Sequence, residues 1–220
     1  MIFSTQKLMN REIYIIRHGE STKNVNNLFG DESMMFNLTP KGVSDTKRLA
    51  TKIASTILKA SNSYSFFSSP DVRSTATANI LTTTLNTNFK IINSLLPIYA
   101  GKLKGMSEDK AEIYYPKLMK AKKLYREGKL DGYLISYPNG ESVIEFQDRV
   151  VLDFKNILSI SSNDLFLITH QSVITALLNF FYSTLDGYNY YYYFKLDLSS
   201  LTKILITDNK INVIQINTAL

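Results

Sequence analysis

The chain has 220 residues, no cysteine, two histidines and a formal net charge of +6, with 45% hydrophobic and 12% aromatic residues. That length and composition suit one folded domain with a substantial core, and they exclude disulfides, thiolate chemistry and an intrinsically disordered chain. With so few His and Cys a conventional metal centre is not expected; no run reaches the roughly 18 to 20 apolar residues of a membrane helix, and residues 1–10 lack a signal-peptide apolar segment, so a cytoplasmic enzyme or binding domain away from membranes is the expectation.

The first strong element is the apolar run Ile13-Tyr14-Ile15-Ile16, which empties into Arg17-His18-Gly19-Glu20-Ser21. It reads as a buried strand ending in a tight turn, with a cation and an imidazole at its mouth. Ligands of open α/β sheets bind beyond the carboxyl ends of strands, and a glycine after the histidine lets the backbone approach a small anion. An ordinary strand with polar residues at its end is the alternative for this stretch alone. Residues 24–36 read as a polar loop over the site. Leu38-Thr39-Pro40-Lys41-Gly42 introduces a helix with Val43, Ala50, Ile53, Ala54, Ile57 and Leu58 on one apolar face. A short strand follows over residues 64–68. Ser69 and Pro70 are expected as N-cap and first helical residue, which places Arg73 in the first turn of the next helix. Residues 88–93 read as a third strand.

Between residues 101 and 130 nine Lys or Arg stand against four Asp or Glu, so this stretch holds +5 of the charge excess. We read residues 101–136 as a basic helical insert, its first helix starting at Ser107 and breaking near Pro116, its second reaching about Gly128. Such a patch suits an acidic surface, a phosphorylated small molecule or simply a solvated helical face. No nucleic-acid motif accompanies it, and nucleic acid is not expected as a partner.

Tyr137-Pro138-Asn139-Gly140 is turn-forming, and Ser142 with Glu145 makes a capping box for a helix carrying Val143, Phe146, Val150, Phe154 and Ile157 inward. Residues 165–169 form a second buried strand that ends on His170, and a helix follows over about 172–182. The tail reads as two strands between residues 193 and 216 around Asp208-Asn209, with Tyr190 to Tyr193 as half-buried strand or contact surface. Both histidines thus stand directly after apolar strands, with Arg17 beside one of them and Arg73 just after a third strand. Two Arg and two His converging at strand ends make a pocket for a dianion, because guanidinium forks match phosphate oxygens.

Five segments, in this order, resemble the histidine phosphatase superfamily, the phosphoglycerate mutase-like group, over nearly the whole chain: Arg17-His18-Gly19-Glu20-Ser21 with Asn24, Leu38-Thr39-Pro40-Lys41-Gly42, Ser68-Ser69-Pro70 with Arg73, Tyr137-Pro138-Asn139-Gly140-Glu141-Ser142, and Thr169-His170-Gln171-Ser172-Val173. The Ala100-Gly101 step, the Tyr-Pro turn and the His-Gln pair look most similar to the fructose-2,6-bisphosphatase branch. The resemblance implies a three-layer α/β/α sandwich on a mostly parallel sheet, with residues 1–220 as one domain. It implies a phosphatase that passes the phosphoryl group through a phosphohistidine on His18 to water, with no metal or other cofactor. Arg17, Arg73 and His170 would hold the phosphoryl oxygens, a charged His170 adding to the cationic field, and Ser21, Asn24 and Gln171 would line the substrate side. The expected partner is a phosphorylated small metabolite or a phosphoprotein, and the oligomeric state is left open.

One position departs from the pattern. In active relatives a Glu four residues before the glycine of this segment protonates the leaving group, and Pro97 stands there in this chain. Losing a general acid typically costs about 100 to 10,000-fold. Three readings follow. Another carboxylate takes the role, Glu141 first, with Asp31, Glu32 and Asp71 behind it; or the substrate carries an easier leaving group, such as a phenol, an acyl phosphate or a phosphohistidine; or the chain is a weakened or inactive member that binds a phosphorylated ligand or a protein. A phosphoglycerate mutase ranks behind these, because Ala100 and Glu108 stand where mutases carry a Tyr and a Lys.

Overall fold

The computed structural model of the chain describes residues 10–30, 35–187, 190–207 and 210–218. The first strand, β1 (Arg11–Arg17), runs into the His18 turn and a short helix α1 (Thr22–Val25), where the sequence suggested only loop. Helix α2 (Pro40–Thr56) is capped by Thr39, whose side chain accepts from the Gly42 amide at 3.0 Å. It buries Thr46, Leu49, Ala50 and Ile53 while Ala54 faces outward, so its apolar stripe is offset from the one expected. Strand β2 (Tyr64–Ser68) leads to α3 (Val72–Thr84), and β3 (Phe89–Ile91) is a brief edge strand.

The N-cap of α3 is Asp71, not Ser69. The Asp71 carboxylate accepts from the Arg73 amide at 3.2 Å, whereas the Ser69 hydroxyl is engaged by His170. The helix starts two residues later than expected, because the polar side chain nearest its orphan amides belongs to Asp71.

Residues 101–134 carry α4 (Glu108–Tyr114), α5 (Pro116–Arg126) and two single 3-10 turns, Gly101–Leu103 and Gly132–Leu134. Pro116 opens α5 at the position where its missing N–H is no loss, which separates the two helices. Helix α6 (Val143–Ile160) has the expected Ser142 and Glu145 capping box, and is followed by β4 (Asp164–Thr169) and α7 (Gln171–Asp186). The tail pairs β5 (Leu201–Thr207) with β6 (Lys210–Thr218); the turn expected at Asp208-Asn209 lies outside the described residues.

No strand forms at Tyr190 to Tyr193 or up to Ser200. The backbone there is used differently: the Tyr191 carbonyl accepts from the Gly132 amide at 3.1 Å, and the Tyr192 carbonyl accepts from Tyr125 Oη and Asn179 Nδ2, each at 3.0 Å. The tyrosine run therefore braces the insert against α7.

The six strands form one sheet in the order β3-β2-β4-β1-β5-β6. Strands β1 to β4 are mutually parallel, and β5 and β6 extend the sheet antiparallel. Successive side chains of a strand point to opposite faces. Accordingly Ile13, Ile15, Leu165 and Leu167 pack with α6 and α7, whereas Tyr14, Ile16, Phe166 and Ile168 pack with α2 and α3. The result is the α/β/α sandwich with a mostly parallel sheet. A third cluster of Phe29, Leu103, Ala111, Met119, Ile135 and Tyr137 holds the insert together above the strand ends. Among the described residues no helix is long and apolar enough to cross a membrane.

Candidate active site

Strands β2, β4 and β1 are neighbours and parallel, so their carboxyl ends deliver Ser69, His170 and His18 side by side. The His18 amide donates to the Thr169 carbonyl at 2.9 Å, which carries the parallel ladder one residue past β1. The imidazoles of His18 and His170 face each other edge-on with ring centroids 5.2 Å apart.

The His18 turn is held from two directions. The Gly19 amide donates to Thr77 Oγ1 at 3.0 Å, and Thr39 donates its amide to the Glu20 carbonyl at 2.9 Å and its hydroxyl to Glu20 Oε1 at 2.7 Å. A Cβ at Gly42 would stand 2.1 Å from the Glu20 carbonyl oxygen, so only glycine allows α2 to approach this turn. The Leu38-Thr39-Pro40-Lys41-Gly42 segment is the clamp on the His18 turn.

Hydrogen-bond partners set the tautomers. His18 Nδ1 lies 2.8 Å from the Gly19 carbonyl, which can only accept, so the proton sits on Nδ1 and the Nε2 lone pair is free to accept. It accepts from Arg73 Nε at 3.0 Å. Arg73 Nη2 lies 3.2 Å from His170 Nδ1, and since a guanidinium only donates, His170 carries its proton on Nε2 and shares it with Ser69 Oγ at 2.9 Å. Burial, reinforced by the charges of Arg73 and Arg17, pushes the pKa of His18 well below its ordinary value. Burial, followed by Arg73 and His18, does the same to His170. Both rings are neutral at neutral pH, including His170, for which the sequence suggested a charged role.

Arg73 is 1% exposed and pairs with Asp71 at 3.0 Å. Its Nη1 is buried with no partner, and so is Nε of Arg17, whose Nη1 donates to the Leu196 carbonyl. Leaving buried donors unpaired costs about 1 to 3 kcal/mol each, or more for charged groups. Two such donors on cavity-lining guanidiniums mark a place prepared for an anion.

The cavity over these residues measures about 400 Å³. Its floor includes Arg17, His18, Asn24, Arg73, His170 and Gln171, and its far wall is the insert, with Glu108, Lys122, Tyr125 and Arg126. Lys23 and Tyr193 also line it, and so does Pro97. Gln171 donates to the Tyr193 hydroxyl and, at 3.2 Å, to the Phe194 carbonyl, which ties the end of β4 to the tyrosine run. Ser21 is fully buried behind the cavity, its amide and hydroxyl donating to Asn24 Oδ1 at 3.0 and 2.7 Å. It orients Asn24 and does not line the space itself.

Glu141 is not brought to the cavity. Its carboxylate pairs with Arg149 at 2.7 and 3.0 Å and accepts from the Tyr99 amide at 2.8 Å, tying the segment around Tyr99 to the Tyr137 turn. An acid held as a bidentate carboxylate surrenders that pairing if it carries a proton, which suits a tie and not a proton donor. Asp71 is likewise committed to Arg73. Asp31 and Glu32 lie outside the described residues.

Lys23, Lys122 and Tyr193 escaped the sequence reading as cavity residues. Lys122 is 8% exposed, with its ammonium 3.9 Å above the Phe29 ring and 5.5 Å from that of Tyr137. Burial, and then the nearby Arg126, push it down to about 7. The available signal was helical spacing: Met119, Lys122 and Arg126 share one face of α5 with the apolar residues of the insert.

The profile of the histidine phosphatase superfamily (branch 1) matches residues 13–219. A search of curated protein sequences finds no match. Among solved structures the chain is similar to the mycobacterial glucosyl-3-phosphoglycerate phosphatase, with TM-score 0.77 and 16% identity over 95% of this chain and 99% of that one. It is also similar to the α-ribazole phosphatase of Shigella flexneri, with TM-score 0.73 and 18% identity over 94% and 96% of the two chains. A phosphoglycerate mutase of Bacillus anthracis str. Sterne gives TM-score 0.71 and 16% identity over 97% and 95%. At these identities the structural likeness is one of fold. The family match across the strands, the His18 turn and the His170 turn establishes that this chain belongs to the histidine phosphatase superfamily, branch 1.

Proposed function

We propose that the protein is a phosphatase that hydrolyses a phosphomonoester of a small metabolite through a phosphohistidine on His18. The observation that carries this reading is the pairing of a neutral His18, its Nε2 lone pair directed at Arg73, with two partnerless guanidinium donors on Arg17 and Arg73. Phosphoryl transfer asks the protein chiefly for in-line placement and for charge to meet the equatorial oxygens. A dianion entering the cavity takes the free donors of Arg17 and Arg73. Arg73 then shifts its donation from His18 Nε2 to phosphate oxygen, and the released lone pair attacks phosphorus. Water later cleaves the N–P bond. The cavity of about 400 Å³ has the size of a small-molecule site, which favours a small metabolite over a phosphoprotein.

The test is to mix the protein with an aryl phosphate, fructose 2,6-bisphosphate, 3-phosphoglycerate and a phosphopeptide, following phosphate release and an acid-labile, alkali-stable phosphoprotein. Fructose 2,6-bisphosphate is included because of the Ala100-Gly101 step and the Tyr137 turn. Turnover and labelling that vanish in His18→Ala establish the reading. Pro97, which brings no acid to the cavity, favours the second reading, a member that binds a phosphorylated ligand without turnover; anion binding with no labelling on any substrate would establish that one instead.

A further inference from the structure

An alkoxide leaving group needs a proton in the transition state, and few groups on the cavity wall can supply one at neutral pH. His18 holds its proton on the Gly19 carbonyl, and His170 holds its own on Ser69. The guanidiniums do not release protons. Glu108 is ionised in its 2.5 Å pair with Arg126, which pulls its pKa down, and burial pushes Tyr137 up to about 12. Two lysines remain.

Lys23 and Lys122 differ in placement. Lys23 follows His18 by five residues on α1, and its charge acts on both imidazoles. Lys122 lies across the cavity on α5, over the Phe29 ring. Among the described residues the Lys23 ammonium has no ion pair or hydrogen bond, so it is left to the cavity. Gly30 leaves room for its stem, since a Cβ there would stand 3.2 Å from Lys23 Cε.

Resting on the phosphatase reading, we infer that Lys23 is the general acid of this site, in the place where Pro97 offers none. As the P–N bond to His18 Nε2 forms, the P–O bond to the leaving group breaks. The ester oxygen keeps the electron pair and takes a proton from the Lys23 ammonium. In the second half water attacks phosphorus, the P–N electron pair returns to Nε2, and the neutral Lys23 amine takes the water's proton, which restores the ammonium. Burial, with Arg73 and Arg17 next, holds Lys23 at about 8, close to the operating pH where a general acid works best.

The experiment is kcat/KM across phosphate esters graded from 4-nitrophenyl to simple alkyl, for the wild type, Lys23→Met, Lys23→Arg and Tyr193→Phe, with His18→Ala as the blank. Lys23→Arg keeps the charge and removes the transferable proton. Both Lys23 variants should lose about 100 to 10,000-fold on alkyl esters and less than about tenfold on the aryl ester. The basic limb of the wild-type pH profile should disappear with them. Equal losses on both ester classes, no loss, or recovery of alkyl turnover in Lys23→Arg would each overturn the assignment to Lys23, as would a leaving-group-selective loss seen only in Tyr193→Phe. A wild type that hydrolyses not even the aryl ester overturns the phosphatase reading itself, an outcome visible before any Lys23 variant is compared.

Discussion

Arg73 Nε donates to His18 Nε2 at 3.0 Å, so the lone pair that the proposed reaction would use as nucleophile is held by the cation that would meet the phosphate. The same guanidinium reaches His170 and Asp71. A lysine cannot reproduce this fork, because it offers a point charge and not donors in a plane. Arg73→Lys should lower kcat/KM by about 100 to 1,000-fold, the typical cost of one charge-stabilising donor. Arg73→Met should also destabilise the fold by about 3 to 5 kcal/mol, because it removes the cation that faces the buried Asp71 carboxylate. Steady-state kinetics and urea denaturation separate the two effects, and a Lys variant with wild-type kcat/KM would remove Arg73 from the chemistry.

The pH dependence follows from the histidines. Both have pKa values pushed below 6.5, so the neutral, competent form of His18 persists as the solution is acidified. The acid limb of log kcat/KM should therefore lie well below the 6.5 of a free imidazole. Stability runs with the same sign. Below pH 6.5 the unfolded chain binds protons that the folded one refuses, so stability falls as pH drops from 6.5 through the folded-state values. Chemical denaturation at pH 7 and pH 5 checks this, and equal stabilities would contradict buried neutral rings.

Glu141 provides a contrast. As a tie between Arg149 and the Tyr99 amide it should affect the fold and not the leaving group. Glu141→Gln is expected to lower stability by about 0.5 to 2 kcal/mol, since the pair is only partly buried and half of its charge-assisted bonding survives. Its kcat/KM should change by a similar factor on aryl and alkyl esters. A loss confined to alkyl esters would restore Glu141 as a proton donor.

Lys122 should reveal itself in stability. With its folded-state value near 7 against 10.5 when exposed, the unfolded chain holds more protons between those limits, and stability rises with pH across that window. Lys122→Met should raise stability at pH 7 by about 1 to 3 kcal/mol, as apolar replacement of buried charge does, and should flatten the rise between pH 7 and 10. Urea midpoints at pH 7 and 9 for both proteins give the comparison.

Much of this architecture is written locally. The continuous apolar runs Ile13-Tyr14-Ile15-Ile16 and residues 165–168 mark strands buried on both faces, and the Ser142 and Glu145 box announces α6 because a cap is made by neighbours in the chain. The placement of His18 and His170 directly after apolar strands was legible for the same reason. Local signals misled where two neighbours competed for one job, as when Asp71 and not Ser69 capped α3, and where β-prone tyrosines found their hydrogen-bond partners on the insert instead of on a strand.

Strands β1, β2 and β4, the cap of α6 and the order of the motifs are readable from the chain alone, since each depends on side-chain periodicity and on contacts a few residues apart. Tertiary packing settles that β2, β4 and β1 lie together, that Arg73 bridges both histidines, that Glu141 turns away to Arg149, and that Lys23 and Lys122 line the cavity. Those outcomes hang on strand order and on how the insert docks, and burial and charge at long sequence separation leave no periodic trace in the chain.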